Sequence, residues 1–153
     1  MERAFAVVEA VALGLWVGAL AGFAFVFAPA AFDRLPDTAQ FGALVGVVLA
    51  RLNWLGYVCC AIALLSVFVR SREDASLGRG SALRALLIVA MLVIVVIEAQ
   101  IVFPAVHDAT GLARNNLHSL STGLYAAVMV LGVVALALSV LSRPEATRPR
   151  SLR

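Results

Sequence analysis

Four long apolar stretches alternate with short polar breaks along the chain. At about 1.5 Å of rise per residue, some twenty helical residues cross a hydrocarbon core of roughly 30 Å. The pattern therefore predicts an all-α integral membrane protein. We expect one domain, residues 1–141, folded as a left-handed four-transmembrane-helix bundle with helices near 5–27, 41–69, 85–103 and 117–141. Phe32 to Gln40, with Asp33, Arg34, Pro36 and Asp37, forms the first break. Arg70 to Arg84 is a basic loop containing glycine, and Val106 to Arg114 is a third connection. Pro104 should close the third helix, because proline cannot continue the hydrogen-bond ladder. Residues 142–153 carry four arginines and two prolines and are expected to be a disordered tail.

Ala28-Pro29-Ala30 after the first stretch looks like a small-residue cleavage site. The stretch is longer than the h-region of a signal peptide, about 7–15 residues, and three more spans follow, so it is read as a retained helix. Ala10, Gly14, Gly18 and Gly22 recur every four residues, as do Gly42, Gly46 and Ala50. Such seams let another backbone approach closely, within the bundle or in a homo-oligomer. Trp16 is read as packing. Pro29-Ala30-Ala31-Phe32-Asp33 after the first span is echoed by Pro104-Ala105-Val106-His107-Asp108 after the third. The echo suggests two repeated helical hairpins related by an axis along the membrane normal; shared helix-end chemistry explains it equally well.

The composition agrees with a membrane protein. Hydrophobic residues make up 63% of the 153, against about 45–50% in soluble domains. The net charge of +3 is no nucleic-acid signature, because every basic residue is an arginine and most flank apolar runs. Arg3, four arginines of the 70–84 loop and four of the tail fall on one side, and Arg34 and Arg114 on the other. This bias puts both termini in the cytoplasm, and in a bacterium it puts the protein in the inner membrane. Cys59 and Cys60 are adjacent in mid-helix, which argues against a disulfide or a metal site between them.

Polar residues concentrate in the outer half of this layout. Asn115, His118, Thr122 and Tyr125 form one helical stripe, with Ser121 beside it. Arg51, Asn53, Glu98 and Gln100 lie at similar depth, with Asp33, His107 and Asp108 near the outer face. The inner half offers only Glu9 as a comparable charge. An ionised carboxylate in hydrocarbon must be paired, hydrated or protonated. Arg51 is the expected partner of Glu98, in a salt bridge pinning the second helix to the third. The rival reading makes Glu98 a proton or cation site with His118 as its titrating neighbour. His118 itself is open to helix packing, titration or ligation. His118, Glu98, His107 and Asp108 could together supply a metal, but no spacing demands it. Met91 and Met129 are isolated, which gives Cu(I) no soft ligand set. A haem held by two histidines would have to use both His107 and His118. No phosphate loop, nucleophile elbow or zinc-protease motif is present.

Gly-Leu-Trp-Val-Gly and Phe-Ala-Pro-Ala-Ala-Phe in the first span, Arg-Leu-Asn-Trp-Leu-Gly in the second, Val-Ile-Glu-Ala in the third and Leu-His-Ser-Leu-Ser-Thr-Gly-Leu in the fourth occur in a familiar order. On these pieces the chain resembles the uncharacterised four-helix membrane proteins that include transmembrane protein 205. More distantly it looks like bacterial copper-resistance D-type membrane proteins and small haem-pathway membrane oxidases. The first resemblance implies a four-helix integral membrane domain of unknown function, and the distant ones imply a metal or haem. The scarcity of His and Met here departs from those distant relatives.

Three functions fit the sequence. The leading one is non-enzymatic: an outer polar pocket of Glu98, His118, Arg51, Asn53, Ser121 and Thr122 that binds or conducts an ion, a metal or a small solute. The second is a haem-dependent membrane oxidoreductase. In the third, the polar residues only fix helix packing and assembly. Lipid is the expected surrounding of all three.

Overall fold

The computed structural model describes residues 2–35, 37–73, 79–108 and 110–141. The tail expected to be disordered lies outside the described residues, as does the centre of the basic loop. Four long helices account for nearly all of the rest. Helix α1 runs through Glu2–Gly22, a π-helical turn Phe23–Phe27, and Ala28–Arg34. Helix α2 is Thr38–Glu73. Helix α3 runs through Arg79–Ile97, a second π turn Glu98–Val102, and Phe103–Asp108. Helix α4 is Gly111–Leu141, entered through Gly111 at a φ of 58°, a conformation that glycine adopts without strain. All four are long and apolar enough to cross a membrane. The chain is a multi-pass membrane protein.

The helices are longer than the apolar pattern alone suggests. Neither Pro29 nor Pro104 ends its helix, which corrects the expected stop at Pro104. The reason is the wider turn placed before each proline. Ala28 N–H reaches back five residues to Phe23 O, and Phe103 N–H does the same to Glu98 O. A proline ring clashes with the carbonyl four residues earlier in a regular α-helix. A π turn shifts that register and lets the helix pass through. Similarly, Arg70 and Arg84 are not loop residues: they belong to the last turn of α2 and the early turns of α3.

The two π turns begin 75 positions apart (98 − 23), the same offset as Pro29 to Pro104 (104 − 29) and Asp33 to Asp108 (108 − 33). The same register maps Leu13 onto Ile88, Trp16 onto Met91 and Leu20 onto Val95, and all six are buried. Helices α1 and α3 thus repeat one another in shape and core positions. Packing runs around the ring α1–α2–α3–α4–α1.

Two close approaches inside this ring use glycines outside the expected seams. A Cβ on Gly56 would lie 2.7 Å from Trp16 ring atoms, and one on Gly132 would collide with Val17 and meet Met91 Cε at 2.9 Å. Trp16 and Met91, equivalent in α1 and α3, thus each pack on a glycine of another helix. Of the expected seams, Gly14 has only Leu136 at 4.0 Å, and a Cβ on Gly18, Gly22 or Gly42 would meet nothing within 4 Å.

Candidate functional site

Ser121 and Tyr125 are one turn apart on α4 and reach two different helices. Ser121 Oγ donates to Glu98 Oε1 on α3. Tyr125 OH donates to Asn53 Oδ1 on α2 at 3.0 Å. Glu98 is 1% exposed and Asn53 7%. The network therefore ties three helices together inside the bundle, towards the end that carries Asp33 and Asp108.

Glu98 is the first residue of the α3 π turn. Its other carboxylate oxygen, Oε2, is buried and has no hydrogen-bond partner. No ion pair reaches it among the described residues. A cleft of about 190 Å³ lies between α2 and α3, lined by Ala50, Asn53, Trp54 and Tyr57 on one side and Ala99, Gln100 and Phe103 on the other; Glu98 itself does not line it. Of the Glu98 network only Asn53 lines this cleft.

The other expected site residues are placed elsewhere. Arg51 is exposed and makes no salt bridge with Glu98. Asn53 faces the interior, and a residue two positions away on a helix points about 200° round the axis. Arg51 and Asn53 share a depth but not a face. His118 is exposed, because the first ten residues of α4 overhang the bundle with only Leu117 partly covered. The Thr122 hydroxyl donates to the His118 carbonyl of its own helix at 2.9 Å. Asp33, Gln100 and Asp108 are exposed. The side chain of His107 lies outside what the structure describes. Among the described residues no three His, Cys, Asp or Glu side chains gather as a metal would require.

The sequence reading missed a second cluster. Glu9 of α1 receives a hydrogen bond from Arg70 Nη1 at 2.9 Å, and Arg84 Nε lies 3.3 Å from its other oxygen. These residues were visible as an acid and two arginines near the same membrane face. In the sequence Glu9 stands as a lone inner charge and the two arginines read as orientation signals, because arginines next to apolar runs usually serve that purpose.

No curated protein and no solved structure matches the chain. A family model matches residues 11–115, a stretch that includes Asn53, Arg70, Arg84 and Glu98 and stops short of Ser121 and Tyr125. The chain belongs to the family described as domain of unknown function DUF4149.

Proposed function

We propose that this membrane protein is a non-enzymatic binding protein whose Glu98 site exchanges a proton for a small monovalent cation. The observation that carries the reading is Glu98 Oε2, buried in a membrane helix with no partner. An ionised carboxylate there must be neutralised, and Arg51 does not do it. A proton on Oε2 is one way. A cation is the other, with Glu98, Asn53 and Ser121 as oxygen donors. Oxygen donors suit hard cations rather than soft transition metals, and a single carboxylate balances a single positive charge. The arginine asymmetry puts both termini in the cytoplasm, so the site would be reached from the outer face. The resemblance to transmembrane protein 205 supports the four-helix frame and adds no chemistry. Gly18, Gly22 and Gly42 leave an open surface that a second copy could use.

The test is proton release. Sodium chloride added to weakly buffered, detergent-purified protein should liberate about one proton per chain from the wild type and none from Glu98→Gln. Equal release from both, or none from either, rejects the reading.

A packing role is the second reading, because the Ser121–Glu98 and Tyr125–Asn53 bonds join three helices. It predicts no cation effect and a loss of stability when either bond is removed.

A further inference from the structure

At the end of the bundle opposite the Glu98 site, α1, α2 and α3 set one carboxylate between two guanidiniums. Glu9 is 0% exposed, Arg70 5% and Arg84 2%. Their formal charges leave one positive charge unbalanced. Three of the guanidinium donor atoms, Arg70 Nε, Arg84 Nε and Arg84 Nη1, are buried without a hydrogen-bond partner. Arg84 Nη2 has only Ser81 Oγ, at 3.4 Å. Ser139, near the end of α4 at the same end of the bundle, also has a buried hydroxyl without a partner.

An uncompensated buried charge is strongly destabilising. The planar fork of an arginine matches two oxygens of a phosphate. Arg70 lies one turn from the end of α2 at Glu73, and Arg84 lies little more than one turn into α3 from Arg79. Both therefore lie near the ends of membrane-length helices, the region where lipid headgroups are met. Long arginine side chains at helix ends can extend towards that interface. We propose that Arg70 and Arg84 form a binding site for one phosphate group, carried by an anionic lipid or free in solution. Glu9 orients both guanidiniums and keeps the site from collapsing apart while it is empty. The phosphate removes the surplus charge and accepts hydrogen bonds from the open donors while Glu9 keeps its contacts to both side chains. The site depends on nothing at Glu98.

The experiment uses the full chain in two arms. In nanodiscs, retention of phosphatidylglycerol is compared with that of phosphatidylcholine by native mass spectrometry. In neutral detergent, inorganic phosphate is titrated against chloride at equal ionic strength, with the thermal midpoint as readout. The wild type should prefer the phosphatidylglycerol headgroup or be stabilised by phosphate. A response in the lipid arm alone identifies a lipid, and a response in the phosphate arm identifies a soluble ligand. Arg84→Met leaves Glu9 and Arg70 as a neutral pair, so it should fold and bind at least about tenfold more weakly. If it does not fold, Arg84→Lys keeps the charge without the fork and should bind several-fold more weakly. The proposal is overturned if the wild type responds in neither arm, or if the substituted protein that folds binds as tightly as the wild type.

Discussion

The bundle holds two polar clusters, roughly 20–25 Å apart along its axis by helical rise. At the Glu9 end, opposite charges meet: a carboxylate with two arginines, all at least nine-tenths buried. At the Glu98 end, a carboxylate as deeply buried meets only a serine hydroxyl, while a tyrosine and an asparagine pair beside it. One end is neutralised by fixed charge to excess, and the other has no fixed counter-charge among the described residues. The repeat makes the difference sharper. Glu9 and Arg84 occupy equivalent positions of α1 and α3 (84 − 9 = 75), as do Phe23 and Glu98. The α1 π turn is entirely apolar and buries no residue, whereas the α3 π turn buries Glu98 and Val102. One backbone device thus carries an exposed apolar turn in α1 and a buried acid in α3.

The largest expected effect comes from unbalancing the charged end. Glu9→Leu strands two buried guanidiniums and should cost about 3–5 kcal/mol, read from reversible denaturation in mixed micelles. Arg84→Met, which leaves a neutral pair, should cost far less. Equal losses for the two would show that the cluster is not organised by charge.

An intermediate effect is expected at the close contact between α1 and α2. Gly56→Ala drives a methyl against Trp16 and should cost about 1–3 kcal/mol. Adding Trp16→Leu should recover part of that loss. Separate, additive losses in the double variant would place the contact elsewhere.

Smaller effects belong to the Glu98 end. Ser121→Ala and Tyr125→Phe each remove one hydrogen bond and should cost about 1 kcal/mol apiece, more where the buried acceptor stays dry. Arg51→Leu, on the exposed face, should lie within about 0.5 kcal/mol of wild type in the same assay. A large loss from Arg51→Leu would mean that this arginine supports Glu98 after all.

Much of this architecture was legible in the sequence. Hydropathy gave four spans, and the Pro-Ala-x-x-Asp echo pointed to the repeat of α1 in α3. Depth along each helix could be counted from residue number, and it put Asn53, Glu98 and Ser121 at one level; Tyr125, read only as part of the α4 stripe, was not joined to them. Azimuth was harder. Arg51 and His118 share that depth, yet Arg51 points away from Asn53 and His118 lies on the overhanging start of α4. Helix ends were hidden because a π turn cancels the usual meaning of a proline. The Glu9 cluster was hidden because an arginine beside an apolar run reads as a topology signal even where its side chain turns inwards to meet an acid.

The central claim is that Glu98 carries no fixed counter-charge and is neutralised by an exchangeable proton or cation. The most direct measurement is the infrared carboxyl region of the detergent-purified protein near neutral pH, recorded with and without added sodium. The account predicts a protonated-carboxyl band in sodium-free wild type that is missing from Glu98→Gln and is lost when sodium is added. A wild-type spectrum without that band, or one that neither Glu98→Gln nor sodium changes, would contradict it.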